Sequence, residues 1–456
     1  MKTFKEIPRE IPIIANASIL IVGGGPAGFG ACLSAARNNK NVYLVEQFGF
    51  LGGASTASLV TTLPYRYLVF DDGPKKVYEG VYKEYIDRLW EVGGISMAPE
   101  EADPWTVYSR DVHGSMIPAD PEFMKYIYSE MLLEAGAEIM LHTSTVGIIN
   151  ENEVIKGIIV ENASGRQAIL ADRIIDATGD GDVAARAGVP FSIGDKKDKK
   201  TLPATLMFFI GNVDTARLAE YMAVFSDPNL YKMLKKGEEK GEFVFRDWGD
   251  PTGFVHGPDQ VQVRICQSMC RNGEVIVHGA HVVGMDGTNG EHLTRAEFDA
   301  RKQMIKLYQY FKKRVPGFEK SYITNSAIKI GVRESRRIHG EYMLDKDEAY
   351  NGKGFKDVVL RNTSGLFEKR GIIYDFPYRC LVPLEIDNLL VAGRCVSVDS
   401  GLLPSMRNIG ACVGTGQAAG TAAALSIEQG TTPRNIEIKA LQDNLIQQNV
   451  NLGPQD

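Results

Sequence analysis

Gly23, Gly25 and Gly28 stand at Gly-X-Gly-X-X-Gly spacing, directly after the apolar run Ser18-Ile19-Leu20-Ile21-Val22 and ahead of a small-residue stretch that ends near Arg37. Each glycine has its own use. The first permits a tight turn, the second lets backbone approach a pyrophosphate, and the third lets a helix pack closely on a strand. Pro26 and Ala27 fill the remaining positions and open a helix whose N–H ends face the phosphates. Glu46, with Gln47 beside it, follows the next apolar run, Val42-Tyr43-Leu44-Val45, where a carboxylate can accept both hydroxyls of an adenosine ribose. An arginine there would have suggested a 2′-phosphate. The chemistry is dinucleotide binding, and this motif leaves NAD and FAD open.

Four further stretches carry chemistry-bearing residues. Gly52-Gly53-Ala54-Ser55-Thr56 is a second glycine-rich turn that can lie along the far half of a long dinucleotide. Ile174-Ile175-Asp176-Ala177-Thr178-Gly179-Asp180-Gly181-Asp182 reads as a buried strand ending in small and acidic residues. Gly331 to Tyr342 holds three guanidinium groups and one imidazole, Arg333, Arg336, Arg337 and His339, with Glu334 and Glu341 as the carboxylates that could pair with them. Such a density of cations is costly to bury without anions. Finally, Asn388 to Arg394 is a strand with a glycine at its carboxyl end, followed by a Gly- and Ala-rich helix from Gly410 to Ser426. Gly414-Thr415-Gly416-Gln417-Ala418-Ala419-Gly420 is not a second fingerprint, because the spacing is off by one and the nearest strand ends far upstream.

These segments need a large α/β scaffold, and 456 residues suffice for two or three domains. With 51 basic and 57 acidic residues the net charge is −6 and neither sign forms a long block, so small molecules or proteins are the expected partners rather than nucleic acid or an anionic membrane. No eighteen-residue apolar run and no signal-peptide pattern is present. Six cysteines without framework spacing fit a reducing cytoplasm. Cys266 and Cys270 would share a face if helical, as two buried thiols. No metal-ligand spacing stands out.

Residues 60 to 118 form an aromatic-rich excursion whose rings, Tyr65, Tyr78, Tyr82, Tyr85, Trp90, Trp105 and Tyr108 among them, are expected to pack against the rest. Asp120 and Pro121 open a helix that Gly136 ends, a strand follows from Glu138 to His142, and hairpin turns fall at Asn150-Glu151-Asn152 and Ala163-Ser164-Gly165. Past Phe191 the pattern changes. Asp195 to Lys200 reads as an exposed charged loop, Thr205 to Ile210 as an alternating strand, and 214 to 245 as mostly polar helix. Thr294 with Glu297 reads as a capping box ahead of an amphipathic helix that stops at Arg314 before Pro316.

Taken together, the fingerprint ending in Glu46, the Gly52-Gly53 turn, Asp176 to Asp182, Gly331 to Tyr342, Pro377-Tyr378-Arg379-Cys380-Leu381-Val382-Pro383 and Asn388 to Ala424 resemble the FAD-dependent oxidoreductases. Within them the likeness is to bacterial flavoproteins distantly similar to the fumarate reductase and succinate dehydrogenase group. It spans most of the chain. The resemblance implies a glutathione-reductase-like FAD domain, an α/β Rossmann fold with a parallel sheet in ββα layers, built from 1–190 and 372–456, with an inserted α+β cap over 191–371. It implies that Gly23, Gly25, Pro26, Ala27, Gly28, Glu46 and Gln47 hold the ADP half, Gly52, Gly53, Ala54 and Ser55 the diphosphate side, and Val146 the adenine. Ala177, Thr178, Gly179 and Asp180 would close over the nucleotide. Gly393, Arg394, Arg407, Ala411, Cys412, Gly414, Thr415 and Gln417 would reach the flavin half.

Departures from related groups narrow the activity. Gly52-Gly53-Ala54-Ser55-Thr56 stands where disulfide reductases carry a cysteine pair, and no histidine occurs between Phe48 and Val112 to attach FAD covalently. No second fingerprint serves NADPH, and no cysteine run holds a cluster. The expectation is an enzyme exchanging a hydride between noncovalent FAD and a small polar organic substrate, by C–H oxidation or C=C reduction. Arg333, Arg336, Arg337, His339, Tyr378 and Arg379 are the candidate catalytic groups, with ion pairing to Glu334 and Glu341 as the alternative role of the arginines. An electron-transfer subunit passing electrons to an acceptor protein, or a flavin monooxygenase, are the alternatives.

Overall fold

The computed structural model describes residues 3–4, 7–38, 41–64, 67–70, 73–95, 116–197, 199–224, 230–242, 264–267, 271–363 and 372–453. Its largest sheet is seven-stranded and mixed. Glu138–Met140, Val42–Val45, Ile13–Val22, the C-terminal end of Gly165–Asp176 and Leu389–Val391 run parallel, in that spatial order. The parallel strands read as continuous apolar runs because both faces are covered. Gly165–Asp176 is long enough to serve two neighbours. Its first half pairs antiparallel with Val154–Asn162, which pairs in turn with Ser144–Glu151, while residues 174 to 176 pair with Leu389–Val391.

The carboxyl ends Val22, Val45, Asp176 and Val391 lie along one edge, and each is followed by one of the glycine-rich or acidic turns. In open α/β sheets ligands bind outside that edge.

Two helices cover the sheet where they touch each other backbone to backbone. Pro26–Asn38 and Ile409–Glu428 approach so closely that a β-carbon on Gly416 would lie 2.0 Å from the carbonyl oxygen of Ala27, and one on Gly30 2.3 Å from that of Val413. That contact explains why both helices are written in small residues. Asn408 caps the second helix by accepting from the amide of Ala411 at 2.8 Å.

A second sheet has four antiparallel strands in the order Arg264–Gln267, Val275–Val282, Ala204–Gly211, Tyr322–Ser326. It packs against the helix Gly290–Arg314. Leu206, Phe208, Ile210, Ile276, Ala300, Leu307, Phe311 and Phe318 belong to its core, separate from the core shared by residues 17–189 and 338–452. Among the described residues no helix is long and apolar enough to cross a membrane.

Several local expectations need correction. The long helix begins at Gly290, capped by Asn289, whose side chain accepts from the amides of Glu291 and His292. Thr294 and Glu297 are therefore already inside it. The carboxylate of Glu297 goes to Arg301 and to the amide of Ile330. Ala204–Gly211 does not alternate between core and solvent. All its residues are buried, because its second face looks into a cavity wall instead of water. Cys266 lies on a strand, so it shares no helical face with Cys270, which is outside the described residues. Of the aromatic excursion, Tyr78, Tyr82 and Tyr85 are buried in the first core and Trp90 is 41% exposed; Tyr65, Trp105 and Tyr108 lie outside the described residues.

Candidate active site

The turns at the carboxyl edge of the main sheet form one wall of a cavity of about 690 Å³. Along it lie Glu46, Gln47 and Phe48, then Gly23, Gly25, Pro26 and Ala27, then Ala177 to Asp180, then Gly393 and Arg394, with Gly53 and Ala54 beside the first turn. Gly25 leaves the approach open, since a β-carbon there would find nothing nearer than Gly53 Cα at 3.8 Å. Gly28 does the packing that its spacing predicts. A β-carbon on it would meet the Gly23 carbonyl oxygen at 1.8 Å.

Glu46 is 5% exposed, and its carboxylate accepts from the amides of Gly24 at 2.6 Å and Phe48 at 2.9 Å. Burial pushes its pKa up, against those two hydrogen bonds. Burial also pushes Asp180 up, but Arg394 and Lys329 outweigh it and hold that carboxyl below its usual range. Arg394 donates to Asp180 Oδ1 and Ser335 Oγ, both at 2.7 Å.

Some expected residues sit behind the wall instead of on it. Val146 is exposed on its strand, and Thr143, Ser144 and Thr145 line the cavity in its place. Gly52 and Ser55 turn inward, with Ser55 Oγ donating to the Gly52 carbonyl at 2.7 Å. Only the first turn of Ile409–Glu428 reaches the cavity, through Ile409 and Cys412. Ala411, Gly414, Thr415 and Gln417 are placed deeper: Gly414 packs on Leu360, Thr415 accepts from the amide of Gly393, and Gln417 from that of Val81. Burial raises the Cys412 thiol to about 12, so it is a neutral wall group at ordinary pH.

The arginine segment divides. Arg333 lines the cavity. Arg336 points away, donating to the Asp180 carbonyl at 3.0 Å and Asp182 Oδ1 at 2.9 Å. Arg337 is buried with Glu334 and donates to the Gly194 carbonyl at 2.8 Å. His339 Nε2 lies 2.8 Å from Ser192 Oγ, and burial lowers its pKa, helped by Arg337. Tyr378 is buried on the Pro433 carbonyl, and Arg379 pairs with Asp357 over the Tyr342 ring. Glu341 pairs with Arg434 instead of the segment's own cations. Backbone carbonyls and Asp182 supply the missing acceptors, which the sequence pattern could not reveal.

A buried pair broken from one side leaves an uncompensated charge, at a cost of about 3–5 kcal/mol. Arg337→Met is accordingly expected to lower the thermal unfolding midpoint of the apoprotein by several degrees, while the folded fraction binds cofactor normally. An unchanged midpoint with lost turnover would return Arg337 to the catalytic set.

The opposite wall holds residues outside the candidate set, Arg333 excepted. It comes from the second sheet and the segment that follows it: Leu202, Pro203, Thr205, Met207, His278, His281 and Lys329 to Arg333. His278 and His281 are three apart in Val277-His278-Gly279-Ala280-His281-Val282, a spacing that puts side chains on opposite faces of a regular strand. A bulge resolves this. Leu206 pairs with Ala280 but Met207 pairs with His278, so Gly279 is the extra residue and both histidines face the cavity opposite Thr205 and Met207. Their rings meet edge to face at 5.2 Å.

The hydrogen bonds differentiate the two imidazoles. Arg333 Nη2 donates to His278 Nε2 at 2.7 Å, which requires that nitrogen to be unprotonated. His281 Nδ1 faces Thr205 Oγ1 at 2.8 Å. A hydroxyl both donates and accepts, so it supports either tautomer of His281. A pair of histidines in a strand-like run broken by glycine was the available sequence signal.

A family profile described as FAD dependent oxidoreductase matches residues 18–445. A digeranylgeranylglycerophospholipid reductase of Methanosarcina acetivorans is 24% identical over 187 residues, covering 38% of this chain and 41% of that protein. The chain thus spans about two fifths of that relative's length. Among solved structures, a geranylgeranyl bacteriochlorophyll reductase-like protein from Thermoplasma acidophilum aligns with a TM-score of 0.47 at 13% identity, covering 95% of this chain and 87% of that one. The p-nitrophenol 4-monooxygenase PnpA of Pseudomonas putida aligns with a TM-score of 0.47 at 12% identity, covering 95% and 85%.

Proposed function

This chain belongs to the family of FAD-dependent oxidoreductases, and on that premise we propose that it exchanges a hydride between noncovalent FAD and a small polar organic substrate held between the two sheets. The observation that carries this reading is a single cavity with two chemically different walls. One wall has the glycine turns and Glu46; the other has His278, His281, Thr205 and Arg333. The finer likeness to the fumarate reductase group is not carried by the relatives described above.

The residues present suit FAD. The open approach at Gly25 and the amides of Pro26–Asn38 receive a diphosphate, Glu46 a ribose, and Gly179 with the Asp180–Arg394 pair closes the far side. We assign the cofactor domain to 1–190 with 338–456, in a glutathione-reductase-like arrangement, and the cap to 191–337; this moves residues 338–371, expected from the sequence in the cap, to the cofactor domain, because Ile338, Leu344 and Leu360 belong to the first core. Bound flavin supplies the electron-pair acceptor or donor. The chain's own residues do the rest. Leu202, Pro203, Ile330 and Val332 exclude water, Arg333 with Lys346 offers positive charge to a polar substrate, and His281 carries the proton that accompanies hydride exchange. Buried free thiols at Cys32, Cys380, Cys395 and Cys412 agree with a cytoplasmic location.

Anaerobic mixing with sugars, dicarboxylates and cyclic polyols tests the reading. Bleaching of the flavin band by one class, with a matching product, supports it. Electron delivery only to a purified partner protein, or oxygen-dependent hydroxylation, would replace it with one of the alternatives. Acid precipitation is expected to release FAD into the supernatant, and colour retained in the pellet would show a covalent link.

A further inference from the structure

Lys329 belongs to the cap, yet its backbone is tied to the cofactor domain. The amides of Ile328 and Lys329 donate to the Ala57 carbonyl at 3.0 and 3.3 Å, and the amide of Ala57 donates in turn to the Gly53 carbonyl at 2.7 Å. Gly53 abuts the glycine that keeps the approach open, since a β-carbon on it would lie 2.8 Å from Gly25 Cα. Within the cap the same segment is fixed on both sides, by the amide of Ala327 on the Met207 carbonyl at 2.9 Å and by that of Ile330 on Glu297 at 2.7 Å. The half-buried side chain that this frame positions lines the cavity.

The charge of Lys329 reaches two strands of the main sheet. It pulls down the pKa of Glu46, which follows Val42–Val45, and of Asp180, which follows Gly165–Asp176. The strand between those two is Ile13–Val22, which runs into the Gly23 to Gly28 turn. A cation felt on both sides of that turn lies over it. Both carboxylates are already engaged, Glu46 by the amides of Gly24 and Phe48 and Asp180 by Arg394.

The turn needs a full positive charge. A dinucleotide diphosphate carries two negative charges, whereas the N-terminus of Pro26–Asn38 offers the equivalent of about half a positive one. Arg394 is neutralised by Asp180, and Arg333 is bonded to His278 and the Pro203 carbonyl. Arg407, the buried arginine ahead of Ile409–Glu428, feels Cys412, Arg394 and Glu334 rather than Glu46 or Asp180.

We propose that Lys329 is the cap's own ligand for the cofactor diphosphate, so that the bound dinucleotide fastens the cap to the domain beneath it. This rests on the FAD reading above. The ammonium acts as a point charge on a segment that is already ordered, so little freedom is lost when the diphosphate arrives.

The test compares two probes on the whole chain freed of cofactor: ADP-ribose, which carries the diphosphate, and adenosine, which does not. Lys329→Met is expected to weaken ADP-ribose binding about tenfold or more, the usual loss for a charge-assisted contact, and to leave adenosine binding within about twofold. Lys329→Arg should keep ADP-ribose within about threefold of wild type, because the charge is retained. Added salt should weaken ADP-ribose binding more steeply in wild type than in Lys329→Met. Equal ADP-ribose affinity in wild type and Lys329→Met overturns the proposal, and so does an equal loss for both probes. Unchanged FAD content with a raised KM would also overturn it, by giving the ammonium to the substrate. Wild type that binds neither FAD nor ADP-ribose would overturn the functional reading and this proposal with it, whereas wild-type binding that Lys329→Met leaves intact overturns only the latter.

Discussion

Alanine at position 28 is expected to yield protein without FAD. The added β-carbon would lie 1.8 Å from the Gly23 carbonyl oxygen and 2.9 Å from its carbon. Both are backbone atoms of the turn that receives the diphosphate, so no side chain can rotate away. Helix and strand must separate, and the amides at the start of Pro26–Asn38 lose their aim. Overpacking of this kind costs about 1–3 kcal/mol where side chains can yield and more where only backbone can. The apoprotein should melt several degrees lower, and its FAD-to-protein ratio after dialysis should fall near zero. Gly25→Ala is the control, because its β-carbon makes only an ordinary van der Waals contact, with Gly53 Cα at 3.8 Å. It should leave apoprotein stability unchanged and weaken FAD binding alone. Normal FAD content in Gly28→Ala would remove the turn from the cofactor site.

The second large effect is expected at His281. If it carries the proton that accompanies hydride exchange, His281→Ala should retain FAD and lose on the order of a hundredfold or more in turnover, the usual size for a positioned acid or base. The choice of His281 over His278 rests on the hydroxyl of Thr205, which serves either tautomer. Arg333 holds His278 Nε2 unprotonated. His278→Ala should instead act through Arg333, raising KM more than it lowers kcat. Equal losses in both variants, or full activity in His281→Ala, would move the proton elsewhere.

The division between what was legible in the sequence and what was not follows the range of the interactions involved. Local geometry is written locally. A glycine needed for a tight turn, a carboxylate at a strand tip, a Pro-capped helix at Asp120 and a continuous apolar strand each depend on residues a few positions apart, so Gly23 to Glu46 could be read as a dinucleotide edge from spacing, while Ala177 to Asp180 and Gly393 were expected there from the family resemblance. Side-chain partners are not written locally. Arg336 and Arg337 looked like an unbalanced cationic wall until the fold brought Asp182, the Asp180 carbonyl and the Gly194 carbonyl to them from far upstream. Among the described residues Arg407 has no carboxylate partner for the converse reason, since Glu334, whose field reaches it, is taken by another arginine. The histidine wall depended on a single bulge at Gly279, visible only in the pairing of two strands. Where a residue's role is set by backbone conformation, sequence determines it; where it is set by which charge or carbonyl arrives from another segment, only the tertiary structure decides.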